Sequence, residues 1–297
     1  MIRRLKYHEI NFEKYTKCLE NSEQRKYSAS RLFLDITSKR KWEILVFKDY
    51  EAVMPVPFIK KFGIKIVINP KLCQQLGIFS EKDDSKLNEL FLNYFKKNYN
   101  IWYYAFNDKN TFSSSLKKRK NFLIFPEAYE TVRQRYSPKR KRKLRLDEEI
   151  LAVSEIREIK MDEAYAFISK NMIGAKNKND KHEFLKIFQD LGDSGSLSIS
   201  VFLYKNRIIN AIAVFHDEKT SVLLGTFNEK EFVKLAGSSV LIDSVIRKNI
   251  ANKIFDFEGS EVPAIEEFFR GFRPELKPYS VIENSKKEIV KNFFNLA

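Results

Sequence analysis

A mixed α/β fold in two similar halves, each a mostly antiparallel sheet flanked by helices, is predicted by three observations. An order of hairpin strands, helix and further strand occurs twice along the chain, the connections between neighbouring apolar runs are short and polar, and the apolar content is ample for two cores. The chain has 297 residues, 43% of them hydrophobic, which is enough for two domains of ordinary size.

In the first half, apolar runs at 42–47 and 51–57 flank the polar triplet Lys48, Asp49, Tyr50 as a hairpin. A third strand follows at 64–68, a helix at 85–98 and a strand at 101–106. The join falls in 126–149. There a helix near 129–136 meets Ser137 and Pro138, a favourable N-cap and first-turn pair for a second helix. The boundary is placed at 149/150, giving domains 1–149 and 150–297.

In the second half the periodicity predicts a strand at 155–159, helices at 162–172 and 181–191, and three strands at 197–204, 207–215 and 221–227. Lys205 and Asn206 join the first two as a tight turn. Leu241, Ile242, Val245, Ile246 and Ile250 give the next helix one apolar face. A strand then starts at Ile254 with two carboxylates, Asp256 and Glu258, alternating against Phe255 and Phe257, and acids in such a position belong at a strand's open end. Pro263 suits the first turn of a helix carrying Ile265, Phe268, Phe269 and Phe272, and Gly271 is expected to supply its left-handed exit. A last strand is predicted at 277–282 and a terminal helix over 285–297.

Composition excludes several classes. With 26 Phe and 13 Tyr against 9 Gly the chain is globular, neither disordered nor collagen-like. Cys18 and Cys73 lack histidines at ligand spacing, so neither a zinc site nor a disulfide framework is indicated, and no metal is expected. No apolar run approaches the ~18 residues of a membrane span, and the expected location is cytoplasmic without integral membrane association.

The net charge of +15 is concentrated: eight cations and no acid lie between Arg133 and Arg145. Such a segment attracts phosphate-bearing partners, or is a solvated helix face offset by Asp147, Glu148 and Glu149. Arg140, Arg142 and Arg145 are its candidate phosphate-binding residues, since guanidinium forks match phosphate oxygens.

Between the 221–227 strand and the following helix the chain reads Lys234, Leu235, Ala236, Gly237, Ser238, Ser239. The element order around it and this stretch resemble the GNAT acyltransferases, whose Gln/Arg-x-x-Gly-x-Gly/Ala loop holds the pyrophosphate of acyl-coenzyme A on backbone amides. The resemblance implies a coenzyme A site at Lys234, Gly237, Ser238 and Ser239. The alternative is a helix start with small residues for close packing. Phe255 to Gly259 followed by Phe268 to Phe272 is similar to the Asp-Phe-x-Gly and Phe-Lys-x-x-Phe-Gly signatures of the Fem-type aminoacyltransferases, which are two tandem GNAT-like domains acting on aminoacyl-tRNA and peptidoglycan precursors. Tyr136, Ser137, Lys141, Arg142 and Arg145 resemble the Fem-type junction, and Gln74 to Phe79 are similar to bacterial relatives of unassigned activity.

The resemblance implies an N-acyltransferase, with acyl-coenzyme A preferred over aminoacyl-tRNA as donor. The acceptor would be an amine on a small or nucleotide-linked molecule, such as a cell-envelope precursor or a nucleotide-linked sugar. Transfer to an amine needs the amine deprotonated and the carbonyl polarised, and positioning supplies much of the rate, so no nucleophilic triad is required. Glu258 is the first candidate base and Asp256 the second; the alternative is that either acid caps the next helix or pairs with Lys253 or Arg270. The competing readings are a nucleic-acid-binding protein using 133–145, with tRNA as a partner, and a non-catalytic GNAT-like binding module. The first half is expected to lack a donor site, because Glu81, Asp83 and Asp84 precede its helix.

Overall fold

The computed structural model describes residues 1–61, 63–285 and 287–289. The chain forms two compact units, one of residues 1–120 and 278–297, the other of residues 121–277. It enters the second unit within one strand and leaves it within another.

The first unit opens with β1 (Ile2–Leu5), α1 (Phe12–Asn21) and α2 (Arg31–Ser38), none of which the sequence patterns above mark. Asn11 caps α1 by accepting from the Lys14 amide at 3.0 Å, and Ser30 caps α2 from Phe33 at 3.3 Å. Then come β2 (Trp42–Phe47), β3 (Ala52–Lys61), β4 (Ile64–Ile68), β5 (Phe79–Ser80), α3 (Ser85–Asn98), β6 (Ile101–Ala105) and the start of β7 (Lys117–Ile124). The expected hairpin is present: β2 and β3 pair antiparallel from Phe47↔Ala52 to Trp42↔Pro57. Pro55 and Pro57 are tolerated because the other edge of β3 pairs only at Ala52–Val53, with β5, and from Phe58 onward, with β4. Trp42, Tyr15 and Phe33 are buried in its core, and α3 carries the chain from β4 to its parallel neighbour β6. Cys18 and Cys73 are both free, and burial pushes the Cys18 thiol up to about 11, which leaves it unreactive at neutral pH.

The second unit contains the end of β7, α4 (Tyr129–Arg135), α5 (Pro138–Lys143), α6 (Glu148–Leu151), β8 (Ser154–Ile159), α7 (Met161–Asn171), α8 (Lys178–Asp193), β9 (Leu197–Tyr204), β10 (Arg207–His216), β11 (Thr220–Asn228), α9 (Gly237–Asn249), β12 (Ile254–Asp256), α10 (Pro263–Arg270) and the start of β13 (Glu275–Glu283). Its strands run in the order β7-β12-β11-β10-β9-β8. Lys205 and Asn206, both at positive φ, make the two-residue turn between β9 and β10. α9 buries Leu241, Ile242, Val245 and Ile246 in the core that also receives Phe255, Phe257, Phe269 and Phe272. The end of β13 returns to the first unit, where Val281 pairs with Ala105. The helix expected over 285–297 falls for the most part outside the described residues.

Residues 121–149, assigned above to the first half, lie in the second compact unit, whose division falls at 120/121. The reason is burial. Phe122, Ile124, Val132 and Tyr136 are part of the second core, and Tyr136 meets Phe272 edge to face with ring centroids 5.2 Å apart.

Candidate active site

In the second unit β11 and β12 run parallel, paired at Thr220↔Ile254, Ser221↔Phe255 and Val222↔Asp256. There β12 ends, while β11 continues to Asn228. The chain after Asp256 follows β7 instead, the Phe257 amide donating to the Phe122 carbonyl at 3.0 Å. The two parallel strands therefore part. On the other side β11 pairs with β10 through a bulge: Val214 faces Leu223 and Ala213 faces Gly225, leaving Leu224 without a cross-strand partner at the point where β12 has departed. A bulge of this kind interrupts the regular ladder locally and increases the twist of the strand that carries it.

Asp256 is fully buried at the end of β12 and its Oδ1 accepts from the Glu258 amide at 2.8 Å. Glu258 is half-buried and sits at φ +61°, followed by Gly259 at +59°. A glutamate in the left-handed region costs about 1 kcal/mol or more, and such outliers concentrate at functional turns. The structure thus separates the two candidate acids. Asp256 is withdrawn from solvent and fixes the turn, whereas Glu258 is half-buried two residues beyond the last paired position of β12.

The expected phosphate loop is packed shut. Lys234 is exposed in a 3₁₀ turn (Lys230–Leu235), but Gly237, Ser238 and Ser239 are buried. A Cβ at Gly237 would lie 2.0 Å from Asn210 Oδ1, so the glycine is required by close approach of a side chain. Ser238 Oγ donates to Asn228 Oδ1, and Ser239 Oγ accepts from an Arg140 NH1 group. The close-packing alternative is the one realised at Gly237. Ala236, at φ +56°, makes the tight entry into α9.

Arg140 is correspondingly not an outward phosphate clamp. It is 5% exposed, with its guanidinium between the rings of Phe268 and Phe272, 4.2 Å from each centroid, and donates from NH2 to the Phe268 carbonyl at 2.7 Å. It joins α9 to α10. Burial pulls it down to about 10, so it stays protonated at neutral pH. Arg142 and Arg145 are exposed. Instead, Lys139, Arg140 and Lys143 of α5 converge with Glu267, Arg270 and Arg273 around a cavity of about 410 Å³. Gly271 is right-handed, at φ −59°, and the left-handed exit from α10 is made by Arg273 at φ +56°. What Gly271 supplies is room, since a Cβ there would lie 3.0 Å from Arg140 Nε and NH2. Aligning the Fem-type signature on Phe268 to Phe272 puts Phe269 at its lysine, and Phe269 is buried 4.9 Å from Phe257, centroid to centroid.

Two groups escaped the sequence reading. The Tyr129 hydroxyl donates to Asp243 Oδ2 at 2.9 Å; burial raises the Asp243 carboxyl, and burial with the Asp243 bond pushes Tyr129 up to about 12. His216 lies between Ser198 Oγ at 2.9 Å and Ser221 Oγ at 3.1 Å, and burial, with Lys253 and Lys248 nearby, pulls it down to about 4. No grouping of three or more metal-ligating side chains is found among the described residues, and no described helix is long and apolar enough to cross a membrane.

No known protein-family profile and no curated protein matches the chain. Solved structures do share its fold. FemX superposes with a TM-score of 0.67 over 93% of this chain and 96% of its own, at 9% identity. A tandem GNAT protein from the clavulanic acid biosynthesis pathway gives 0.52 over 95% and 97% at 7% identity. A conserved protein of unknown function from Bacteroides thetaiotaomicron VPI-5482 gives 0.51 over 96% and 100% at 9% identity. The fold of this chain is therefore the tandem GNAT-like fold that it shares with FemX.

Proposed function

We propose that this chain, built on the tandem GNAT-like fold, is an N-acyltransferase that moves an acyl or aminoacyl group from a phosphate-bearing carrier to an amine. The observation that supports it is the parting of β11 from β12 beyond Val222 and Asp256, with the bulged Leu224 at the mouth. In this reading the amine nitrogen attacks the acyl carbonyl, whose oxygen becomes negative and is stabilised by the Leu224 N–H. One such donor is worth about 3 kcal/mol. Glu258 takes the proton that the amine loses and passes it to the leaving oxygen or sulfur as the bond to the carrier breaks. Asp256 is a positioning residue, acting through the Glu258 amide.

The closed Gly237 loop weighs against a coenzyme A pyrophosphate seated on its amides, so aminoacyl-tRNA is the favoured donor, reversing the preference drawn from the loop sequence. An ester carried on RNA needs no such seat. Either donor places the reaction in the cytoplasm. The acceptor is an amine on a small or nucleotide-linked molecule, of which a cell-envelope precursor is one case. A second reading, a non-catalytic binding module, is favoured by Phe269 standing where the Fem-type signature has lysine.

The test uses hydroxylamine as a generic amine, with mixed aminoacyl-tRNA or acetyl-coenzyme A as donor, and hydroxamate as product. Protein-dependent product from aminoacyl-tRNA, at least about tenfold above that from the thioester, is expected. The reverse preference overturns the donor assignment, and no protein-dependent product from either favours the binding module.

A further inference from the structure

An outermost strand pairs with a copy of itself only where its side chains suit a two-fold register, and β8 meets that condition. In the second unit β8 has β9 on one side and no strand on the other among the described residues. The Lys205 amide donates to the Val153 carbonyl at 2.8 Å, one step before the paired run from Ser154↔Tyr204 to Ile159↔Ile199. Ladder bonds in an antiparallel pair alternate, so Val153, Glu155, Arg157 and Ile159 turn their peptide groups toward β9, and Ser154, Ile156 and Glu158 turn theirs outward. That edge is open: Glu155 to Glu158 are all exposed, Ile156 by 42%. Glu155 and Arg157, on the opposite face from Ile156, meet at 2.7 Å.

We propose that β8 is a self-recognition edge that joins two copies of this chain antiparallel about Ile156. With Ile156 opposite Ile156 of the second copy, Ser154 falls opposite Glu158 and Glu155 opposite Arg157. The outward N–H and C=O groups of Ser154, Ile156 and Glu158 then find partners in the second copy. Glu155 and Arg157 meet at the positions without ladder bonds, where Cα atoms come within about 4.5 Å, and the charges alternate in sign around a square. Sliding the second copy by two residues either way sets Glu155 against Glu155 or Arg157 against Arg157, so charge selects the register. The edge strand of the first unit, β1, lacks this complementarity, because pairing it with itself sets Arg3 opposite Arg4. The proposal is independent of acyl transfer, and its test reads association alone.

Sedimentation velocity of the full chain at fixed ionic strength, over about a hundredfold range of concentration reaching about 0.2 mM, decides it. A reversible monomer–dimer equilibrium is expected, and Arg157→Glu or Glu155→Arg alone should weaken it at least about tenfold. An equimolar mixture of those two variants should dimerise again, because each supplies the sign the other lacks. The double change Glu155→Arg with Arg157→Glu should likewise restore self-association. Ile156→Pro removes an outward N–H without taking one from the β8–β9 ladder and should abolish the dimer; if that variant does not fold, the charge exchanges decide alone. A chain that stays monomeric throughout the range overturns the proposal. So does a dimer that either single charge reversal leaves intact, or a mixture of the two variants that fails to associate.

Discussion

Two helices, α3 in the first unit and α9 in the second, each carry the chain between parallel neighbours, and their N-termini receive guests of opposite sign. At α3 the guest is the chain's own acid: Asp84 Oδ1 accepts from the Lys86 and Leu87 amides at 2.8 and 3.3 Å, while Asp83 Oδ1 accepts from Asn88 at 2.8 Å. A carboxylate on these amides satisfies them and meets the positive end of the helix dipole, leaving nothing for a phosphate to gain. At α9 no side chain caps the start, and the Arg140 guanidinium bonds to Ser239. A cation there opposes the dipole, and the two aromatic rings and the Phe268 carbonyl offset that cost. The same topological position is a neutralised cap in one unit and a sealed seam in the other. An open glycine-serine sequence is therefore not by itself an open loop.

Four perturbations test that contrast. The largest effect is expected for Gly237→Ala, whose methyl must displace Asn210: a loss of about 3 kcal/mol in denaturant unfolding. A harmless substitution would mean the loop is looser than a packed seam. Next is acid sensitivity confined to the second unit. The folded state holds His216 near 4, below its ordinary value of 6.5, so the unfolded chain takes up a proton that the native one refuses. Stability is full above pH 6.5 and falls as pH drops toward 4, by about 2 kcal/mol once solvent screening is allowed for. Unfolding at pH 7 and pH 4.5, followed by hydrogen exchange in each unit, should show this loss in the second unit and its removal in His216→Gln.

At α3, Asp84→Ala should cost about 1 kcal/mol and Asp84→Ser restore most of it; an equal loss in both would deny the cap. The smallest effect is Ala236→Gly, which relieves a left-handed alanine at the entry to α9 and should raise stability by about 0.5 kcal/mol, read as a shift in denaturation midpoint.

What could be read from the sequence was local. Ser137 caps the basic helix, its Oγ accepting from the Arg140 amide at 3.2 Å, Pro263 opens α10, and Lys205 with Asn206 makes the predicted turn, because each depends only on neighbours along the chain. Glu258 was visible as an acid at a strand end for the same reason. The charged start of β7, Lys117 to Lys120, hid a strand. Which of eight cations turns inward was not legible either: Arg140 is chosen by Phe268 and Phe272, more than a hundred residues away, and the helix it lies on is otherwise a uniform run of charge. The Tyr129–Asp243 bond is equally long-range. The division at 120/121 escaped because burial of Val132 and Tyr136 decides it, and nothing in 121–149 marks which core they join.

The most direct measurement is the single-turnover rate of transfer from aminoacyl-tRNA to an amine for the wild type and for Glu258→Gln, with thermal unfolding of both as the control. Loss of the general base predicts a rate lower by about 100-fold at an unchanged unfolding temperature. Equal rates in the two proteins would contradict the assignment of Glu258 and, with it, the reading of the parted strands as the place where the acyl group is transferred.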